Sequence, residues 1–302
     1  MYNMITCKLM GGLGNQLFQI FTTLSYAIKS GNVFIFSDDT ILGVGDNIRP
    51  TYWETFLLKL KPFTRNMFPK FKVIKEKDFT YNDIDLTEIK NQDVLLYGYF
   101  QSYKYFQNEF NTICKLINLV EIKNKLLQNR LEEYAYTSGF LYHTVSMHFR
   151  LGDYKKLQEY HPLMTYEYYE KALEHIILES GLIQNKLIQN KLIQSKKTMN
   201  VLYFCEEEDI IDVLEMIDSM KEKFPTINFV RCSNDLEDWE QMLLMSLCKN
   251  NIIANSSFSW WGAYFNFNQD KIVCYPSKWF GPSLDHNTKD MCPDEWIAIQ
   301  TD

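Results

Sequence analysis

Short apolar runs, bounded by glycine or charge, alternate along most of this chain with longer segments in which apolar residues recur every three or four positions. The first pattern suits strands covered on both faces, the second helices with one buried side. Residues 4 to 10 (MITCKLM) form a nearly continuous apolar run that enters Gly11-Gly12-Leu13-Gly14-Asn15-Gln16, and LFQIFTTLSYAIKSG then carries apolar residues at helical spacing. The order predicted is strand, glycine turn, helix. Gly31 closes that helix, and VFIFS at 33 to 37 is a second buried strand with Asp38 and Asp39 at its carboxyl end. Residues 40 to 90 show no clear period, DVLLYGYF at 93 to 100 restores a strand, and a helical segment runs near 104 to 134.

The second half repeats the alternation. LYHTVSMHF reads as a buried strand that breaks toward Gly152. A helix from Thr165 to about Ser180 follows, then VLYFC at 201 to 205, a helix at 208 to 223, INFVRC, a helix at 237 to 249, and NIIAN. With a boundary near 135, the chain reads as two domains, 1–135 and 136–302. Strands alternating with helices imply parallel sheets covered on both faces. The fold class expected is therefore α/β, two Rossmann-type domains with parallel sheets facing a cleft, with ligands at the carboxyl ends of the strands. One repeat interrupts the second half: LIQNK, LIQNK and LIQSK between 182 and 196. Five residues turn a helix by about 500°, so its Leu-Ile pairs spiral and form no single stripe. It reads as an inserted helical extension or loop, or as an arm for a partner.

Composition narrows the class. A chain of 302 residues, 46% hydrophobic and 23% charged, has globular proportions and length for about two domains, which excludes disordered and collagen-like types. Against 38 acidic residues stand 31 Lys and Arg, a net charge of −7, so no basic stripe for nucleic acid is expected; a local pocket for a small anion is not excluded. The seven cysteines, Cys7, Cys114, Cys205, Cys232, Cys248, Cys274 and Cys292, include no C-x-x-C pair and read as buried thiols of a reducing compartment. MYNMITCKLMGG lacks the features of a secretory leader, and no apolar run reaches membrane-spanning length. A cytoplasmic protein without an integral membrane segment is expected. His143, His148, His161, His175 and His286 make no close zinc-ligand pattern, so no metal is expected.

Four places could carry chemistry. In His148-Phe149-Arg150-Leu151-Gly152-Asp153-Tyr154 a strand meets a loop. Alternate side chains of an extended segment share a face, so His148 and Arg150 can point at one ligand, Gly152 lets backbone amides approach it, and Asp153 can orient a neighbour. Arg supplies a fork of donors suited to phosphate. The competing reading is an Arg150–Asp153 surface pair beside a core histidine. Asn255-Ser256-Ser257-Phe258-Ser259-Trp260-Trp261-Gly262 follows a strand and can open a helix, as a cap alone or as an anion site. Trp260 and Trp261 read as packing residues before sugar platforms. Gly12-x-Gly14 with Asp38 downstream imitates a dinucleotide fingerprint, but Leu17 replaces its third glycine. Asp83-Ile84-Asp85 resembles a metal-holding D-x-D inside a polar stretch where solvated carboxylates are the simpler reading.

Taken in order, GGLGNQLFQI at 11 to 20, GYFQSYKYF at 98 to 106, HFRLGDY at 148 to 154 and IIANSSFSWWGAYF at 252 to 265 resemble the α-1,2-fucosyltransferases of glycosyltransferase family 11. That resemblance implies a GT-B-like pair of Rossmann-type domains and metal-independent, inverting transfer of L-fucose from GDP-β-L-fucose to a glycan hydroxyl. The second domain would hold the donor and the first would face the acceptor. It further implies that Arg150 binds the pyrophosphate, that His148 lies by the nucleotide with Gly152, and that Asn255, Ser256, Ser257 and Ser259 hold phosphate oxygens. Gly12, Gly14, Asn15 and Gln16 would face the reaction centre. In this chain Leu151 stands where the family usually has a second Arg, and Gln241 where it usually has an acid that could read guanine. Asp153, Glu159 and His161 are candidates for taking the acceptor proton. The same fold using another nucleotide-sugar donor, a nicotinamide-dependent oxidoreductase, and a carbohydrate-binding protein or inactive relative are the alternatives.

Overall fold

The computed structural model describes residues 3–43, 48–66, 70–90, 92–180 and 199–301. The repeat at 182–196 lies outside the described residues. The chain divides into two compact units: Met1–Lys125 with His286–Pro293, and Leu126–Asp285 with Asp294–Asp302. The division thus falls after Lys125, ahead of the expected boundary near 135, and a short C-terminal segment rejoins the first unit.

In the first unit, β1 (Met4–Cys7) passes through the Gly11 turn, where φ is +77°, into α1 (Leu13–Ser30). Gly31 ends α1 in the left-handed conformation, φ 73°, and its N–H returns to the Ala27 carbonyl. From Leu13 to Ala27 nearly every side chain of α1 is buried, including Gln16, Gln19, Thr22, Thr23 and Ser25. The predicted strand 33–37 is two strands. β2 (Val33–Phe34) pairs with β1, whereas β3 (Phe36–Ser37) leaves for a separate sheet with the strand Thr64–Arg65. Asp38 follows β3 into that separate sheet, so the glycine turn and Asp38 do not form the dinucleotide arrangement that they imitate in sequence. β4 (Ile41–Leu42) and β5 (Arg49–Pro50) pair antiparallel, β6 is Thr64–Arg65, and β7 (Lys72–Lys75), α2 (Leu86–Ile89) and β8 (Val94–Tyr97) follow. The main sheet has the order β2-β1-β8-β7 and is parallel throughout. The helical stretch then breaks into α3 (Phe110–Leu116) and α4 (Leu119–Asn129) at Asn118, whose φ is +62°.

The second unit opens with α5 (Ser138–Leu141) and β9 (Thr144–His148), then α6 (Tyr166–Glu179), β10 (Asn200–Phe204), α7 (Ile210–Lys223) and β11 (Asn228–Arg231). It continues with α8 (Asp238–Met245), β12 (Asn250–Ile252), α9 (Ser257–Tyr264), β13 (Val273–Pro276) and β14 (Ile297–Ile299). The sheet order is β11-β10-β9-β12-β13-β14, all parallel. Relabelled by chain position this is 3-2-1-4-5-6, the doubly wound Rossmann order. Every residue of β9 and β10 is buried, as strands covered on both faces require. Trp260 and Trp261 are fully buried against each other, Tyr264 and Trp296, so they pack and offer a ligand no surface.

None of the seven cysteines is disulfide-bonded, and all except Cys205 are buried. Burial pushes the Cys7, Cys114 and Cys274 thiols up to about 12, which keeps them protonated and unreactive. Among the described residues no helix is long and apolar enough to cross a membrane.

Candidate functional site

The second sheet reverses direction beside its first strand. From β9 the chain winds one way through β10 and β11 and later returns on the other side through β12, which makes the carboxyl ends of β9 and β12 the switch point at which sheets of this order bind ligands. His148 ends β9, and Arg150, Gly152 and Asp153 lie in the loop beyond it. Ser256 caps α9 just after β12. The rings of His148 and Phe258 lie 5.5 Å apart, and the Tyr154 hydroxyl donates to the Asn255 carbonyl at 3.2 Å, so the two loops meet. The structure therefore brings together residues that are a hundred positions apart in sequence.

Arg150 is the cation at this switch point. Its Nη2 donates to Asp153 at 2.6 Å, its Nη1 to Glu206 just beyond β10, and its Cζ lies 5.2 Å from the centre of the Tyr154 ring. Burial opposes its charge, but Glu206 and Asp153 outweigh that and push its pKa further up. The Arg150–Asp153 pair and the buried His148 of the competing reading are thus both present in the free protein. They do not exclude a phosphate site, because Asp153 and Glu206 are half exposed and can yield to an anion that brings its own oxygens.

The loop is held from below by Asp209, which sequence reasoning missed. Its carboxylate is almost fully buried, accepts the Gly152 N–H at 2.6 Å, and pairs with Lys155 at 2.7 Å. Those partners satisfy an otherwise costly buried charge. Gly152 has φ +30°, and a Cβ there would lie 3.0 Å from a Glu206 oxygen. In sequence, Glu206, Glu207, Glu208 and Asp209 look like one solvated acidic run; the signal was the position of this run, directly after a buried strand and before a helix.

His148 is 8% exposed, and its Nδ1 has no hydrogen-bond partner. Burial, reinforced by Arg150, pushes its pKa down to about 3, so the ring is neutral near pH 7 and can serve a ligand only as an uncharged donor or acceptor. His161 stacks on Tyr154 with ring centres 4.6 Å apart and 17° between planes; burial lowers its pKa as well, and its Nδ1 is also unpartnered. The exposed Glu159 belongs to a pinned backbone: its carbonyl accepts from Ser283 at 2.9 Å, and the Tyr160 carbonyl accepts from Gly281 at 2.9 Å. A Cβ on Gly281 would sit 2.4 Å from the Glu159 carbonyl oxygen, so only glycine permits this approach.

On the other side, the Asn255 NH₂ donates to the Pro162 and Trp279 carbonyls at 2.9 and 3.1 Å, which commits both its protons. Its Oδ1 is buried without a partner. The Ser256 hydroxyl accepts from the Phe258 N–H at 3.3 Å, and the fully buried Ser259 hydroxyl donates to the Ser256 carbonyl at 3.4 Å. Among these four, the half-buried Ser257 and the amides of the first turn are best placed to meet an anion; Asn255 and Ser259 build the turn. Gln241 lies on α8, where its Nε2 donates to the Leu236 carbonyl at 2.9 Å.

In the first unit the corresponding reversal lies between β1 and β8. There Gln101 Nε2 donates to Asn15 Oδ1 at 2.8 Å, and Gln16 Nε2 donates to the carbonyls of Gly11 and Pro50 at 3.0 and 2.8 Å. Glu76 accepts the N–H groups of Tyr99 and Phe100 at 2.7 and 2.9 Å, holding Phe100 at φ +52°. Asp83 accepts from the Tyr26 hydroxyl, and Asp85 caps α2 through the Thr87 N–H, so both carboxylates of the D-x-D serve local structure. Among the described residues no group of three His, Cys, Asp or Glu side chains is arranged to hold a metal ion.

Comparison with known proteins adds a family. Residues 187–300 match the family described as Glycosyl transferase family 11. The chain is 30% identical over 215 residues to the O-antigen biosynthesis glycosyltransferase WbnK of Escherichia coli, an alignment that covers 70% of this chain and 62% of that protein's length. It is 23% identical over 316 residues to an alpha-1,2-colitosyltransferase of Escherichia coli, covering 99% of each. Among solved structures, Arabidopsis thaliana FUT1 in complex with GDP aligns with a TM-score of 0.49 and 12% identity, covering 90% of this chain and 70% of that one. The Escherichia coli ADP-heptose heptosyltransferase II aligns with a TM-score of 0.47 and 9% identity, covering 98% and 90%.

Proposed function

We propose that the chain, whose residues 187–300 match glycosyltransferase family 11, is a member of that family and an inverting, metal-independent enzyme that moves L-fucose from GDP-β-L-fucose to a glycan hydroxyl, in α-1,2 linkage and typically to galactose. One observation carries the reading: a cation, Arg150, and the amide end of α9 flank the same reversal point of the second sheet. In the reaction the acceptor oxygen attacks the anomeric carbon opposite the diphosphate. The carbon–oxygen bond to the β-phosphate breaks, the diphosphate leaves with its electron pair, and β becomes α. The largest catalytic need is a prepositioned group where negative charge develops on the leaving oxygens. Arg150, Ser257 and the first-turn amides of α9 supply it without a metal.

The acceptor proton needs a base. His161 offers an uncharged ring with an unpartnered nitrogen, whereas Asp153 already engages Arg150. The amide-lined turn of Gly12, Gly14, Asn15 and Gln16 is proposed to serve the acceptor. Seven cysteines without a disulfide fit a cytoplasmic location. A second reading follows from the full-length match to an alpha-1,2-colitosyltransferase: the sugar moved is colitose.

GDP release measured with GDP-fucose, GDP-colitose and UDP-galactose, each with a galactose-terminated acceptor and excess EDTA, tests both. Turnover with GDP-fucose is expected. Preference for GDP-colitose would select the second reading, and turnover only with UDP-galactose, or only after Mg²⁺ or Mn²⁺ is restored, would overturn the proposal.

A further inference from the structure

We propose that Tyr154 is a positioning residue that sets the plane of the Arg150 guanidinium and fixes its distance from the loop that opens α9. This rests on the reading of Arg150 as the cation at the donor diphosphate. Three contacts of one side chain carry it. One face of the ring meets the Arg150 guanidinium, whose Cζ is 5.2 Å from the ring centre. His161 stacks on the ring at 4.6 Å and 17°. The hydroxyl donates to the Asn255 carbonyl at 3.2 Å.

Each contact does a separate thing. Asp153 and Glu206 hold the terminal nitrogens of Arg150 from within its plane. A diphosphate that binds bidentately across Nη1 and Nη2 competes with both carboxylates, so they do not by themselves orient Arg150 while phosphate is bound. The Tyr154 ring can, because its face attracts the guanidinium independently of the carboxylates and its hydroxyl lies close enough to interact with the same cation. The stack with His161 keeps the ring from turning. The hydroxyl ties the loop after β9 to the loop after β12, and a phosphate oxygen reaches Arg150 and the α9 amides together only at one separation. Burial holds the Tyr154 pKa up at about 12, so the hydroxyl remains a donor throughout the working range.

The ring and the hydroxyl are separable by mutation. Calorimetry with GDP, turnover with GDP-fucose and thermal melting are measured for wild type, Arg150→Ala, Tyr154→Phe and Tyr154→Leu. Tyr154→Phe keeps the flat face and is expected to bind GDP within about twofold of wild type while kcat falls about fivefold, the size of one neutral hydrogen bond. Tyr154→Leu loses the face and is expected to weaken GDP binding about tenfold, a buried cation–π contact. Rescue of affinity by Phe relative to Leu is the signature, since a merely structural role would lower the melting temperature of both without separating Kd from kcat. If Tyr154→Leu does not fold, Tyr154→Met keeps the apolar volume without a flat face and replaces it. Equal GDP affinity in wild type, Phe and Leu variants, with Arg150→Ala unable to bind, would overturn the role of Tyr154 and leave the diphosphate reading standing. GDP binding by Arg150→Ala as tight as wild type would overturn the reading beneath it.

Discussion

Between β1 and β8 the first unit closes its reversal point with side-chain amides: Gln101 on Asn15, Gln16 on Gly11 and Pro50, and Gln19 accepting from the Met10 N–H at 2.9 Å. Between β9 and β12 the second unit fills the equivalent place with charge: Arg150 between Asp153 and Glu206, above the buried Asp209. The winding principle is the same and the chemistry is not. Opening the amide net would leave partly buried carbonyls unpaired, at about 1–3 kcal/mol for each group. Exchanging a half-exposed carboxylate on the largely buried Arg150 for a phosphate replaces one ion pair by another and leaves no buried charge unpaired. The side chains tie one reversal point together with amides, on the proposed acceptor side, and fill the other with charge, on the proposed donor side. Substitutions in the second should change GDP binding at nearly constant stability, and substitutions in the first should lower stability and leave GDP binding unchanged.

The largest effect that can break this contrast is at Arg150. Arg150→Ala is expected to lower the rate of transfer at least a hundredfold, about 3 kcal/mol of lost stabilisation on the leaving diphosphate. The melting temperature should hold, because Asp153 and Glu206 return to water. Near-normal turnover in a folded variant would remove the second reversal point from the chemistry.

The converse test is Gln16→Leu. The side chain is almost fully buried and supplies donors to two carbonyls from different loops, so its loss should cost about 2 kcal/mol of stability in urea unfolding. GDP affinity should be unchanged. A variant that keeps its stability and loses GDP binding would show the amide turn to be part of a ligand site.

Acid separates the units more gently. In the folded chain His148 has a pKa lowered from its ordinary 6.5 to about 3, by burial first and Arg150 second. A depressed value means that the unfolded chain takes the proton first. The stability tied to a neutral His148 is whole above pH 6.5 and is lost as pH falls toward 3, at about 1.4 kcal/mol per pH unit. His161 shifts in the same direction. Urea unfolding at pH 7, 6 and 5 should show this slope in the wild type and a shallower one in His148→Gln. An identical slope would mean that His148 is free to protonate in the folded protein.

How far the sequence disclosed these regions depended on whether the signal was local. The βαβ opening, the buried strands β9 and β10, and the serine cap of α9 were legible because apolar period and capping chemistry act over a few residues. The split of VFIFS was not. Ile35 separates two strands that pair with different partners, and a continuous apolar run cannot say which neighbour each half will find. β7 reads as Lys-Val-Ile-Lys at a sheet edge with mostly exposed side chains, and β14 spans three residues, so neither carries the apolar length of an interior strand. At the site, Arg150 and Ser256 were legible from motif. Glu206, Asp209 and Tyr154 became visible only when parallel pairing placed the ends of β9, β10 and β12 side by side.

The smallest effect tests the one residue of the donor reading that lies on a different element, Gln241. Its Nε2 donates to the Leu236 carbonyl, which fixes the amide with Oε1 as the remaining acceptor. A guanine edge offers two adjacent N–H donors, and a single amide oxygen meets one of them well. Gln241→Glu keeps the length of the side chain and sets a second oxygen beside the Leu236 carbonyl, so stability should fall by about 1 kcal/mol through loss of that bond. If Gln241 faces the base, the carboxylate accepts both guanine donors, and GDP should bind about fivefold tighter through a charge-assisted pair, with no such gain for UDP. The two readouts move in opposite directions, which general loosening of α8 would not produce. Unchanged GDP affinity with lowered stability would confine Gln241 to its helix and leave recognition of the base to the β9 and β12 loops.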